Sequence, residues 1–394
     1  MSAYESKYLE LDEGAGARIA RRLLSHAAEL GFFSYALLSR EEWIAVLRAR
    51  LPAQREGGSS TTATATDVSG GVAIDALRAR YALDEQGAML MVALRYAPDV
   101  EPDSERQRRE NAHLSAPIPG NPVARVGRFA RGNWYRELLD RLATGAAETA
   151  QDMLAEGLPR MPAKRWHRFA NSRFPEKALS VAAGLGTIGR NSLLIAERSR
   201  ISELEDARDS ARAPRWSSAV VLGLMFLPFD VPRAACAPRH PPRAVLELCA
   251  SCARCVEACP TGALSRALTG ADASAPLPNA FFSFARAKCI QHYTSIDGVL
   301  PEIIDRAWSD QLYGCDICLE ACPHFVPDPF AYVQRGRIGG SFDAAALAEM
   351  DANMLRFALK DSTLDQRWIS IAALKRNASR AASSASARGT GARS

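Results

Sequence analysis

The first 235 of the 394 residues contain no cysteine, so whatever thiol chemistry the chain performs is confined to a region from roughly 236 to 326, which holds all nine. Long hydrophobic runs are missing as well. The most apolar stretch, AVVLGLMFLPF at 219–229, is too short to span a bilayer and contains Gly223 and Pro228, so no membrane association is expected. The N-terminus, MSAYESKYLELDEG, is acidic and lacks the apolar core of a signal peptide, which leads to the expectation of a cytoplasmic protein. Acidic residues are absent after Asp365, where Arg367, Lys375, Arg376, Arg380, Arg388 and Arg393 stand. Taking those 6 from the net charge of +5 leaves about −1 for the first 365 residues, so the basicity lives in the tail and no DNA-binding face is indicated. The end of that tail, NASRAASSASARGTGARS, reads by composition as disordered.

The hydrophobic fraction of 47% suits a globular protein, and the length suits two or three structural units. Residues 16–30 carry apolar positions at helical spacing, and 133–157 read as a second helix with Asn133 as N-cap. GAMLMVALRYAP at 87–98 and SSAVVLGLMFLPF at 217–229 read as buried strands, and RWISIAALKRNA at 367–378 as a last helix. Residues 54–72 and the polar stretch 99–122 read as loops. Strands and helices mix without a βαβ rhythm, which points to an α+β fold rather than a doubly wound sheet.

GLGTIG at 184–189 matches G-x-G-x-x-G formally, yet a dinucleotide fold needs a buried strand before the glycines and a helix after them. Here SRFPEKALSVAA precedes and NSLLI, short and strand-like, follows. The order is inverted, which argues against a nucleotide cradle.

The cysteines carry the clearest signal. CASCARCVEACPTGAL spaces Cys249, Cys252, Cys255 and Cys259 by two, two and three residues, with Pro260 next. CDICLEACP repeats the end of that pattern at Cys315, Cys318 and Cys322, followed by Pro323, and Cys289 lies between. C-x2-C-x2-C-x3-C-P is the bacterial ferredoxin run, in which the fourth cysteine ligates the other cluster of a pair. That crossing gives one [4Fe-4S] set of Cys249, Cys252, Cys255 and Cys322, and a second of Cys315, Cys318, Cys259 and Cys289. Cys236 is left over. Zinc favours separated pairs of ligands, and disulfides are disfavoured in a cytosolic chain. Two clusters make an electron relay, and the preceding residues exceed what a ferredoxin needs.

GRFARGNWYRELLDRL (127–142), AGLGTIGRNSLLI (183–195), CASCARCVEACPTGAL, KCIQHYTSIDGVLP (288–301) and LYGCDICLEACP (312–323) together resemble the epoxyqueuosine reductases, iron–sulfur and cobalamin-dependent enzymes of tRNA modification. The resemblance implies cobalamin held base-off, and none of the six histidines has an Asp two residues before it to open an Asp-x-His-x-x-Gly motif. It implies corrin contacts at Arg131, Gly184, Gly186, Gly189, Leu194 and Leu222, since glycine lets backbone approach a flat ligand closely. It further implies tRNA as a partner and an external electron donor, either a reductase or a protein of the flavodoxin or ferredoxin type.

The family's proton-donating aspartate is replaced by Asn171, which can hydrogen-bond but cannot release a proton at neutral pH. Glu176 reads as a surface carboxylate. Thr187 and Arg190 stand where the family has tryptophan and lysine, and His324–Phe325 where it has Trp-Asn. The expected architecture is an α+β corrin-binding domain over 1–235 resembling the cobalamin-dependent reductases. A ferredoxin-like double [4Fe-4S] domain over 236–330, a short helical segment over 331–378 and a disordered tail over 379–394 follow it. The expected function is reduction of epoxyqueuosine to queuosine in tRNA, or of a related electrophile. A non-catalytic double-cluster electron carrier and a flavin or nicotinamide oxidoreductase are the alternatives.

Overall fold

The computed structural model describes residues 8–50, 74–98, 117–199, 214–233, 249, 251–269, 281–333 and 335–390. Residues 54–72, most of 99–122 and Cys236 lie outside these. In chain order the strands are β1 (Leu9–Glu10), β2 (Ser34–Leu38), β3 (Met89–Arg95), β4 (Val123–Val126), β5 (Arg168–Ala170), β6 (Gly186–Ile188) and β7 (Leu194–Glu197). They continue as β8 (Trp216–Ser217), β9 (Val220–Phe226), β10 (Phe229–Asp230), β11 (Leu264–Thr269), β12 (Phe281–Phe284), β13 (Gln311–Tyr313) and β14 (Ser341–Asp343). The helices are α1 (Glu13–Glu29), α2 (Arg40–Arg50), α3 (Ile74–Arg80), α4 (Trp134–Ala155), α5 (Glu176–Ala182) and α6 (Arg254–Ala258). After them come α7 (Ile290–Tyr293), α8 (Glu302–Ala307), α9 (Ile317–Glu320), α10 (Ala344–Glu349), α11 (Ala352–Ala358) and α12 (Ile371–Thr390).

The chain forms two compact units, and they are not consecutive in sequence. The first holds Met1–Arg95, Leu138–Gly189 and Leu193–Ser251; the second holds Tyr96–Glu137, Arg190–Ser192 and Cys252–Ser394. This corrects the expected linear division at 235/236 and 330/331. Residues 96–137 join the cysteine-bearing unit because β4 pairs with β13 and β14, strands more than 180 residues away that only the folded chain brings beside it.

In the first unit β2, β3, β9 and β5 form an antiparallel sheet in that order. The two strands expected from the apolar runs at 87–98 and 217–229 are its central pair, β3 and β9. Six of the seven β3 residues are buried, the mark of a strand covered on both faces. The helix expected at 16–30 is α1, which begins three residues earlier because the Asp12 carboxylate accepts the Ala15 N–H at 2.8 Å. Its stripe of Ala15, Ile19, Ala20, Leu23 and Ala27 is buried. Edge-to-face contacts of Phe226 with Trp43 (ring centroids 5.2 Å apart) and Phe174 (5.3 Å) lie at the heart of this core.

In the second unit β4 lies between β13, to which it is parallel, and β14, to which it is antiparallel. Asn133 caps α4, its side-chain oxygen accepting the Arg136 N–H at 3.1 Å, as the sequence suggests. The C-terminal helix departs from expectation. α12 runs through the stretch read as a disordered tail, and Ala378 and Ala381 are buried in a core with Leu312, Ile338, Phe342, Leu347 and Leu374. Alanine favours helix strongly, and small side chains let α12 pack closely, so a composition that resembles a linker serves as a helix face. Among the described residues no helix is long and apolar enough to cross a membrane.

Candidate functional site

Six of the cysteines stand in or beside a short helix. α6 carries buried Cys255 and ends at Cys259; α9 follows Cys315, carries Cys318 and is followed by Cys322; Cys289 caps α7. Helices α6 and α9 pack against each other. Burial pushes the Cys315 thiol up to about 12, and the nearby Cys289, Asp316 and Cys259 add to the effect. Cys318 is raised further, by burial first and then by Cys315, Cys289, Cys255 and Cys259. Cys259 goes the other way. Burial opposes its charge, but hydrogen bonds from the Thr261 side chain and from the Thr261, Ala263 and Leu264 N–H groups outweigh it and lower its pKa.

Cys255, Cys259, Cys289 and Cys315 thus all lie near enough to Cys318 to act on its charge, and the division of the thiols into two sets rests on their spacing. Crowded, buried thiols of this kind ionise when a cationic centre binds them. Cys249, Cys252 and Cys322 are half-buried, and their assignment with Cys255 to the first cluster rests on spacing.

Several residues that the cysteine pattern does not contain hold this region in shape. The Cys315 N–H donates to Gln291 Oε1 at 3.0 Å and the Gly314 N–H to Thr294 Oγ1 at 3.2 Å, tying the Cys315 turn to α7. Gly314 has φ +91°, and a Cβ there would lie 3.0 Å from the Gly127 Cα, so this turn accepts glycine alone without displacement. Asp316 accepts the Arg128 N–H at 2.7 Å, while burial raises its pKa. From α12, Arg376 donates to the carbonyls of Tyr293 (2.6 Å), Ile296 (3.1 Å) and Gly298 (2.8 Å). Asn377, fully buried, donates to those of Thr294 (2.9 Å) and Leu312 (2.8 Å). Asp316 and Gly314 were visible in the motif LYGCDICLEACP; nothing local in the sequence ties Arg376 or Asn377 to it.

Arg131, expected to contact a corrin, lies in this second unit. Its Nε donates to the Val126 carbonyl at 3.0 Å, and a Cβ on Gly340 would come within 2.8 Å of its guanidinium carbon.

The remaining predicted residues belong to the first unit. α5 precedes the glycine loop, β6 lies within it and β7 follows as its hairpin partner, the inverted order read from the sequence. A Cβ on Gly186 would sit 2.1 Å from the Ile195 carbonyl oxygen, so this glycine is demanded by the chain's own strand pairing. Leu194 is buried in β7 beside it. Gly184 adopts φ +79°, Gly189 donates its N–H to the Leu193 carbonyl at 2.9 Å, and Leu222 is only half-buried although it sits on central strand β9.

Asn171 is exposed, with φ +50°, in the turn between β5 and α5. Glu176 corrects the expectation of a surface carboxylate. It is half-buried, and its Oε1 accepts both the Ser172 N–H and the Ser172 hydroxyl at 2.8 Å. Burial raises its pKa to about 7, and the Ser172 bonds and Lys177 only partly offset this. No local signal distinguished it, because α2, β3 and β9, which pack on α5, come from elsewhere in the chain. A cavity of about 650 Å³ opens between α4 and residues 160–168, lined by Ala146, Ala150, Arg160, Trp166 and Arg168, and contains none of the predicted residues.

Residues 248–324 match the 4Fe-4S double cluster binding domain family. An epoxyqueuosine reductase of Burkholderia pseudomallei is 28% identical over 354 residues, 86% of this chain and 75% of that protein. One of Bacillus anthracis is 28% identical over 203 residues, covering 50% of this chain and 41% of that protein. The chain thus spans less than half the length of the second relative. Among solved structures, epoxyqueuosine reductase from Streptococcus thermophilus superposes with a TM-score of 0.55 at 15% identity, over 92% of this chain and 80% of that one. An epoxyqueuosine reductase solved with an epoxyqueuosine-modified tRNA stem loop gives 0.52 at 18% identity, over 94% and 82%. In sequence and in α+β fold alike, the chain resembles the epoxyqueuosine reductases, and it carries a double [4Fe-4S] cluster binding domain.

Proposed function

We propose that the chain is an oxidoreductase that removes the epoxide oxygen of epoxyqueuosine in tRNA, with electrons passing through two [4Fe-4S] clusters. The observation that carries this reading is the pairing of a double-cluster domain with similarity to epoxyqueuosine reductases over 86% of the chain. A bare electron carrier needs no first unit of this kind, so the non-catalytic alternative loses its ground. The electrons come from an external one-electron donor of the flavodoxin or ferredoxin type.

Cobalamin belongs to the same proposal. Two features of the first unit suit a flat macrocycle: Leu222 leaves an apolar side chain half-open on a central strand, and Gly184 presents backbone without a Cβ. Gly189 and Leu222 would lie against it with Gly184. Gly186 and Leu194 are engaged in the fold's own packing and would support that surface from behind. When bound, cobalamin supplies a strongly reducing cobalt centre at the substrate. The chain's own part is to exclude water, hold the nucleoside and provide a proton.

Asn171 favours one second reading, a reductase of this type acting on a different electrophile. Anoxically purified protein, assayed for iron, corrin and conversion of epoxyqueuosine-tRNA to queuosine-tRNA, tests both. Corrin uptake with conversion supports the first; corrin uptake without conversion supports the second. Cluster absorption with no uptake of cob(II)alamin overturns the cobalamin-dependent reductase.

A further inference from the structure

We infer that Glu176, rather than the residue at 171, delivers the proton to the substrate. The inference rests on the reductase reading above. Deoxygenating an epoxide to an alkene breaks two C–O bonds, consumes two electrons and two protons, and releases water. The electrons come from the external one-electron donor through the clusters, and at least one proton must reach the oxygen as it leaves carbon. Asn171 has none to give. Between Glu156 and Glu197 the sequence contains one carboxyl group, that of Glu176.

Its carboxyl group is held in one orientation. Oε1 takes both Ser172 donors, as a carbonyl oxygen can, and among the described residues no hydrogen bond reaches Oε2. A proton on Oε2 is therefore unshared among the described residues and available to an acceptor. The turn that presents it is fixed: Phe174 is 4% exposed and packs on Phe169 and Phe226, and its N–H donates to Ser172 Oγ at 3.2 Å. Few charges act on the group. Lys177 is its neighbour; on α2, Arg40 is engaged with the Gln86 carbonyl and Glu42 with Ser39 and Arg233, while Glu41 and Arg48 are exposed and Arg50 is half-buried in the last turn. On β7, Glu197 pairs with Arg215; on β3, Arg95 stacks over Phe33; β6 and β9 present no charged residue. Burial therefore sets the protonation, and a pKa of about 7 keeps a useful fraction of the acid at neutral pH. After transfer of its proton to the substrate oxygen, Glu176 is reprotonated from water, which also supplies the second proton.

Glu176→Gln is the informative variant, because its amide oxygen can accept the same two Ser172 bonds while the transferable proton is gone. In single turnovers of reconstituted protein on epoxyqueuosine-tRNA, the expected loss is roughly 100-fold or more in rate. Iron content and tRNA affinity stay unchanged, and the melting temperature does not fall. The wild-type rate falls as pH rises through about 7, and the residual rate of Glu176→Gln does not follow that limb. Infrared titration without substrate gives an independent readout: a carboxylic-acid C=O band lost with rising pH in the wild type and missing in the variant. If Glu176→Gln unfolds or loses iron, Glu176→Asp should keep the acid limb with a displaced midpoint. A wild-type rate and pH profile in Glu176→Gln, or an identical infrared band in both proteins, overturns the proposal on Glu176 alone. A wild type that converts no epoxyqueuosine-tRNA overturns the reductase reading and this role with it.

Discussion

The side-chain oxygen of Gln291 accepts the backbone N–H of Cys315 at 3.0 Å, linking the helix that follows Cys289 to the turn that opens on Cys315. Two thiols assigned to one cluster are thereby fixed to each other through a neutral side chain. Cys315→Ser should lower the iron content from about eight to about four per chain, because only one of two [4Fe-4S] centres depends on it. Gln291→Ala should keep both clusters but lose iron faster in air, as read by decay of the cluster absorption. Equal loss of both clusters in Cys315→Ser would mean that the module collapses as one body.

Asn377 satisfies two carbonyls at once, those of Thr294 and Leu312, from a fully buried position on α12. Asn377→Ala leaves both without their partner, at about 1–3 kcal/mol each. Thermal unfolding should show the loss as a clearly lower Tm. Truncation after Ala378 should also destabilise, since it removes buried Ala381 and the pairing of Arg380 with Asp305. A disordered tail would be removed at no cost.

Gly186 and Gly262 make a matched pair. Both have positive φ, but a Cβ at Gly186 would collide with the Ile195 carbonyl at 2.1 Å, while one at Gly262 would meet nothing within 4 Å. Gly262→Ala should cost about 1–2 kcal/mol, the strain of a left-handed residue. Gly186→Ala should cost several times more, measured by chemical denaturation. Equal effects would show that the β6–β7 pairing yields to the added atom.

Glu176 also leaves a mark on stability. Its pKa rises from 4.5 to about 7 on folding, so the folded state binds the proton more tightly than the unfolded chain. That contribution is complete below about pH 4.5 and disappears as pH climbs through about 7, a change on the order of 3 kcal/mol. Glu176→Gln should therefore be more stable than the wild type at pH 8, with the difference shrinking toward pH 4. Urea denaturation across that range checks the slope; parallel curves would place Glu176 in water.

The cluster domain was legible from its sequence because thiolate spacing is a covalent property: Cys249 to Cys259 and Cys315 to Cys322 are short enough for local geometry to declare a ligand run. The apolar runs that became β3 and β9 were equally plain, since a strand covered on both faces must be apolar throughout. The inverted helix–loop–strand order around Gly184–Gly189 was enough to argue against a nucleotide cradle. Local residue types settled these points.

What the tertiary structure decided was everything that depends on residues distant in the chain. Composition misread the end of α12, because an Ala/Ser-rich stretch carries no large apolar side chains to mark a buried face, and Leu312, Ile338 and Phe342 supply the surface it packs on from elsewhere in the chain. Spacing could not assign residues 96–137 to the cysteine-bearing unit, since β4 is only a four-residue strand until β13 and β14 flank it. Glu176 read as a surface charge for the same reason. Its protonation is set by how much water the folded chain excludes, and a sequence does not carry that quantity at the residue itself.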